Sequence, residues 1–157
     1  EDIISSFNSV IEKYNLPILF STHPRTALKI KNLKTKINPN IKLIKPLGLF
    51  DYVALQKDAL VVLSDSGSLT EESSILDFKA VSIRNSTERP EGIDFGNIVL
   101  GQINKSNIIQ SIELVLNSYF KNIPSEYKID NNSDIIARII QSYTPVINRE
   151  IWNKSEK

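Results

Sequence analysis

Cysteine and methionine are absent from the 157 residues, histidine and tryptophan occur once each, and glycine occurs five times. Without cysteine there can be no disulfide and no thiolate metal site. A lone histidine, His23, cannot supply a multi-histidine cluster, so no metal is expected. No apolar run approaches the roughly 20 residues of a membrane span. The opening Glu1-Asp2 lacks the basic start of a signal peptide. An excess of charge of one sign is missing too, with 19 Lys plus Arg against 18 Asp plus Glu and a net charge of +1. That balance gives no general attraction to nucleic acid or to an anionic membrane, so any anion site must be built locally. The expectation is a cytoplasmic protein that partners neither nucleic acid nor membrane.

What is present is enough for one ordinary domain: 41% of the residues are hydrophobic. Ile3, Ile4, Phe7, Val10, Ile11 and Tyr14 recur at helical spacing, so the chain opens inside an amphipathic helix, Glu1 to Tyr14. That opening, without methionine, reads as part of a longer protein.

Short apolar runs then alternate with helical patterns. Strands are expected at Pro17–Ser21, Ile41–Ile44, Leu60–Ser64, Ala80–Ile83 and Ile98–Leu100. Helices are expected at Pro24–Ile37, Phe50–Lys57, Ser68–Asp77 and Asn104–Tyr119. Such alternation, with nearly continuous apolar strands, argues for an α/β fold: a Rossmann-like parallel sheet with helices on both faces. Ligands of these sheets bind beyond the carboxyl ends of the strands, so the loops after Ser21, Ile44, Ser64 and Ile83 are the ones to watch. Residues 121–132 read as a connector, followed by a helix over Asp134–Tyr143. Thr144-Pro145 resembles an N-cap with proline at the first helical position, opening a last helix that carries Ile147, Ile151 and Trp152. The expected division is 1–143 as the Rossmann-like domain and 144–157 as a terminal helix.

The strongest local signal is Ser64-Asp65-Ser66-Gly67-Ser68-Leu69-Thr70-Glu71-Glu72, at a strand end that opens a helix. Free N–H groups and the helix dipole suit such a place to a phosphate. A plain helix start is the alternative, with Ser68 and Glu71 forming a capping box. Glu72 is then left for a ligand hydroxyl or for solvent. In Ser21-Thr22-His23-Pro24-Arg25, His23 could move a proton or donate to a phosphate, and Arg25 offers a fork for an anion. A lone histidine is more often structural or simply exposed, and the residues alone favour that reading for His23. Arg89, within Ser86-Thr87-Glu88-Arg89-Pro90-Glu91-Gly92, is an anion contact or one member of a salt-bridged loop. Phe50 and Tyr52, within Pro46-Leu47-Gly48-Leu49-Phe50-Asp51-Tyr52, are base-stacking candidates or packing residues.

These four segments, in this order, resemble the non-hydrolysing UDP-N-acetylglucosamine 2-epimerase family. The likeness runs from the first helix to at least Tyr119. The His-Pro-Arg and Glu-Arg-Pro-Glu-Gly forms look closest to the branch that makes UDP-N-acetyl-L-fucosamine for capsule polysaccharide and O-antigen. The resemblance implies the C-terminal half of a two-domain GT-B fold, with UDP and a UDP-2-acetamido sugar as ligands and no cofactor. It implies that the backbone at Ser66, Gly67 and Ser68 holds the diphosphate and that Glu72 binds the ribose. It further implies that Arg89 contacts the nucleotide, that Tyr52 lies near the uracil, and that His23 is the functional histidine beside the diphosphate. Ser68 and Pro24 depart from the commoner pattern, which has glycine and arginine there.

The implied reaction inverts C2 by elimination and re-addition of UDP. Its acid–base carboxylates lie in an N-terminal domain outside this chain, so the chain by itself is expected to be inactive. The terminal helix is expected to face that domain, and a homodimer is compatible with the sequence. A GT-B glycosyltransferase and a non-catalytic nucleotide-sensing module are the rival readings.

Overall fold

The helical spacing of Ile4, Phe7, Val10 and Ile11 gives helix α1 (Asp2–Tyr14) one apolar face, and that face is buried. Each such side chain removed from water contributes about 1.5–3 kcal/mol. A computed structural model of the chain describes residues 2–33, 35–118 and 123–154. It forms two compact units, Glu1–Pro124 and Ser125–Lys157.

In the first unit α1 is followed by β1 (Ile18–Ser21), α2 (Pro24–Lys31), β2 (Ile41–Ile44), α3 (Leu49–Asp58), β3 (Val62–Ser64), α4 (Leu69–Leu76), β4 (Ala80–Ser82), α5 (Pro90–Asp94), β5 (Val99–Leu100) and α6 (Lys105–Asn117). All strand pairs are parallel: β1 with β2, and β3 with β4 with β5. The ladder hydrogen bonds therefore define two sheets rather than the single one expected. Packing joins them, because Ile18 of β1 and Leu63 of β3 both touch the two clusters built around α1.

Alternation along the strands shows the two covered faces. Val81 and Leu63 pack toward Val10, Ile108 and Ile112 of α1 and α6. Ala80 and Val62 point the other way, to Leu69, Phe78 and Ile98 on the α4 side. β4 is buried along its whole length, as a central strand must be.

Several expected boundaries move, each for a traceable reason. α2 stops at Lys31 instead of running to Ile37. Asn8 of α1 accounts for this: its Nδ2 donates to the Lys36 carbonyl at 2.7 Å, and its Oδ1 accepts from the Asn38 N–H at 3.0 Å. These bonds hold the segment after α2 against α1, where Leu33 and Ile37 pack into the α1 cluster. β3 and β5 are shorter than the apolar runs that announce them, and α5 occupies what reads in the sequence as loop. Tyr119, the expected end of α6, lies outside the described residues.

The second unit holds a 3₁₀ turn, Ser125–Lys128, and one long helix, α7 (Asn132–Glu150). The expected break before Pro145 is not there, and the division after residue 143 falls inside α7. Proline at this position removes the bond to the carbonyl of Gln141, normally a cost of about 3 kcal/mol. The helical spacing of Ile136, Ile139, Ile140 and Tyr143 nevertheless continues through it to Val146 and Ile147. No residue of α7 is buried. Among the described residues no helix is long and apolar enough to cross a membrane.

Candidate functional site

The parallel strands bring the four signalled segments to their carboxyl ends, each on the turn or helix that follows. His23 and Arg25 follow β1, Tyr52 stands on α3 after β2, Ser66–Glu72 follow β3, and Arg89 follows β4.

The turn between β3 and α4 is built by its own side chains. Ser64 Oγ accepts from the Ser66 N–H at 3.0 Å. Ser66 Oγ lies 2.9 Å from Ser68 Oγ, and Ser68 Oγ donates to Glu72 Oε1 at 2.7 Å. The N–H groups of Gly67 and Ser68 have no partner within the described chain. They stand at the positive end of the α4 dipole, where an anion is favoured.

The capping-box alternative fails here. Ser68 is the N-cap residue, but its hydroxyl makes no capping bond and is spent on Glu72. Glu71 is taken by Arg89, whose Nε donates to Glu71 Oε1. A partner 18 residues away thus outcompetes the local motif.

Gly67 has a second use that its sequence context does not announce. A Cβ on this residue would lie 2.5 Å from Arg89 Nη1 and 3.1 Å from its Cζ. The guanidinium therefore rests against the glycine, beside the free N–H groups, and only the missing side chain admits it. Arg89 is further steadied from its own loop, since its N–H donates to Thr87 Oγ1 at 3.0 Å. Arg84 forms a fork with Glu88 at 2.9 and 2.8 Å, and this pairing holds the Glu88 carboxyl below its ordinary pKa. Gly92 fixes α5 against α4: a Cβ there would meet Thr70 Cγ2 at 2.0 Å.

Glu72 is gripped on both oxygens. Ser68 donates to one, and Gln56 Nε2 of α3 donates to the other at 2.7 Å. Tyr52 lies one turn before Gln56. Burial, and then the negative charge of Glu72, push its phenol pKa up, with Gln56 acting in the opposite sense. Tyr52, Gln56, Ser68 and Glu72 therefore form one cluster between α3 and α4. Phe50, the other aromatic candidate, is 89% exposed and takes no part in it.

His23 and Arg25 are not in this network. His23 is the N-cap of α2, and its Nδ1 accepts from the Arg25 N–H at 3.4 Å. Both side chains are exposed. The geometry gives His23 the structural role that the residues alone favour, while its Nε2 remains available to a ligand. Sequence reasoning missed Gln56 and the pairing role of Glu71. Gln56 carried one signal, as a polar residue four positions after Tyr52 and next to the apolar Val53-Ala54-Leu55.

A family model described as UDP-N-acetylglucosamine 2-epimerase matches residues 1–141. The chain belongs to this family. The UDP-N-acetylglucosamine 2-epimerase of Methanocaldococcus jannaschii is 35% identical over 145 residues, covering 89% of this chain and 39% of the relative. The solved UDP-N-acetylglucosamine 2-epimerase from Rickettsia bellii superposes with a TM-score of 0.86 at 34% identity, covering 98% of this chain and 43% of that one. The M. jannaschii enzyme in complex with UDP-GlcNAc and UDP superposes with a TM-score of 0.76 at 34% identity, covering 90% of this chain and 40% of that one. The chain thus spans about two-fifths of the length of these epimerases. The Rossmann-like reading is upheld by these neighbours together with the parallel strands and the helices on both faces.

Proposed function

We propose that this chain is the UDP-binding C-terminal half of a UDP-sugar 2-epimerase. The observation that carries the proposal is the arrangement around the first turn of α4. The unpaired N–H groups of Gly67 and Ser68 stand beside Arg89, which suits a diphosphate. One turn on, the fixed carboxylate of Glu72 suits the ribose hydroxyls. In this reading Ser66, Gly67, Ser68 and Arg89 hold the diphosphate, Tyr52 lies near the uracil, and Arg25 and His23 approach the diphosphate from the β1–α2 turn.

The proposed reaction begins when a base removes the C2 proton of a UDP-2-acetamido sugar. The C1–O bond then breaks and UDP leaves, giving a 2-acetamidoglycal. A proton added to the opposite face of C2, with return of UDP to C1, completes the inversion. No metal or cofactor takes part. The acid–base carboxylates belong to an N-terminal domain outside this chain, and α7, with its apolar side chains in solvent, is proposed to face that domain. What this half does is bind the nucleotide and stabilise the leaving diphosphate. The proposed substrate is UDP-2-acetamido-2,6-dideoxy-L-talose, used in the cytoplasm for capsule polysaccharide or O-antigen.

The test has two parts. Calorimetry should find saturable UDP binding to the 157-residue chain, and NMR should find no epimerisation by it. The full-length gene product should invert C2 with no acceptor present. Sugar transfer to an acceptor without inversion would instead identify a GT-B glycosyltransferase, and UDP binding without turnover by the full-length protein would identify a sensing module.

A further inference from the structure

We propose that Gln56 is a positioning residue of this site: the side-chain amide it donates to Glu72 sets that carboxylate to receive the ribose hydroxyls. The inference rests on the UDP-binding reading above and deepens it.

Gln56 is 2% exposed, so a ligand cannot reach it while the fold is intact. Its influence must pass through a neighbour, and that neighbour is Glu72, bonded at 2.7 Å. Without Gln56 the Glu72 side chain would be held by Ser68 alone, through one oxygen, and could rotate about that bond. With both donors in place the plane of the carboxylate is fixed. Each ionised oxygen accepts more than one hydrogen bond, so each keeps capacity for a ligand hydroxyl. Fixing the plane in advance removes an ordering cost that binding would otherwise meet.

Fold stability gives a poor account of an amide at this position. Gln56 Oε1 is buried without a hydrogen-bond donor. An apolar side chain of similar volume, such as methionine, would fill the same space and leave no buried acceptor unsatisfied. The amide is therefore a burden to the core unless its polar neighbours use it, and its resolved hydrogen bond is the N–H on Glu72, with Tyr52 beside it. The neighbouring Tyr52 hydroxyl, whose pKa burial and Glu72 push up, stays protonated over the working pH range and keeps this wall of the site uncharged beside the carboxylate.

The experiment compares the dissociation constants of UDP and 2′-deoxy-UDP by calorimetry, using this chain and its variants. The chain should prefer UDP by about tenfold, the equivalent of one charge-assisted hydrogen bond. Glu72→Gln should abolish most of that preference. Gln56→Met should reduce it by about threefold or more, while changing the affinity for 2′-deoxy-UDP by less than about twofold. Gln56→Glu is the second variant; it keeps the size but sets a like charge against Glu72, and it should reduce the preference at least as far.

A Gln56→Met or Gln56→Glu protein that retains the wild-type preference overturns the inference. So does one that loses both ligands equally, because that is the mark of a damaged core. If the chain binds UDP but shows no preference over 2′-deoxy-UDP, the ribose contact is wrong and the inference falls, while the UDP-binding reading stands. If UDP does not bind at all, both fall together.

Discussion

The β1–α2 turn and the β3–α4 turn occupy equivalent places at strand ends, yet they are finished to different degrees. Ser66, Ser68, Glu72, Gln56, Glu71 and Arg89 of the second are tied by side-chain hydrogen bonds or ion pairs drawn from α3, α4 and the loop after β4. His23 and Arg25 of the first are exposed, and the His23 side chain caps its own helix at 3.4 Å. The difference teaches that a site can be assembled in stages. On the proposed reading the β3–α4 turn is the nucleotide end, and its side chains are ordered before any ligand arrives, so binding energy is not spent on ordering them. The β1–α2 turn, the reacting end on the same reading, leaves His23 and Arg25 exposed.

The largest effect should separate these two ends. His23→Asn keeps a capping side chain and should change UDP affinity of this chain by less than about 0.5 kcal/mol. In the full-length protein the same change should lower turnover by about 10²-fold or more, if His23 acts at the leaving diphosphate. Equal loss of binding and turnover would erase the contrast between the two turns.

Next in size are changes to the nucleotide end. Arg89→Ala should weaken UDP binding by about 1–3 kcal/mol. Gly67→Ala should do nearly the same without touching any polar group, because its Cβ would displace the Arg89 guanidinium. Since that guanidinium ends a flexible side chain, the melting temperature should hardly move. Normal UDP affinity in Gly67→Ala would show that Arg89 does not act from the position it occupies here.

Gly92→Ala offers the complementary result. Its Cβ would drive into Thr70 Cγ2 at 2.0 Å, and such overpacking costs about 1–3 kcal/mol. Thermal unfolding should fall accordingly, and UDP affinity should fall only as far as α5 shifts Arg89. A fully stable Gly92→Ala protein would mean that α4 and α5 are not held as tightly as described.

The smallest effect concerns the loop that carries Arg89. Arg84 holds the Glu88 carboxyl below its ordinary pKa. A carboxyl with a depressed folded pKa contributes stability above its unfolded pKa, and that contribution is lost as pH falls through the folded value. Thermal stability of the chain should therefore fall toward acidic pH, and Glu88→Gln should remove that part of the slope. Glu88 is largely in water, so the slope should be shallow and fade with salt.

Much of this was readable in the sequence, for reasons tied to particular residues. The branched run ending at Ser64 and the small residues after it announce a strand that opens a helix, and the ligand edge follows from parallel topology alone. The parts that escaped depend on contacts between distant residues. The early end of α2 needs Asn8, and the fate of Glu71 needs Arg89, so a local capping pattern misled. The close packing of α5 on α4 depends on Gly92, which lets it approach Thr70. Pro145 reads as a helix start by local rules, but the apolar stripe on either side carries α7 through it. Gln56 was overlooked because one polar residue beside apolar ones looks like an exposed position until α4 is known to pack over it.

The central claim is that the diphosphate end of the site is complete in this chain. Calorimetric titration of UDP, with uridine as the control, into the wild-type chain and Arg89→Ala tests it most directly. The account expects one saturable UDP site, little affinity for uridine, and a loss of about 1–3 kcal/mol in the variant. Equal affinities for UDP and uridine, or for wild type and Arg89→Ala, would contradict it.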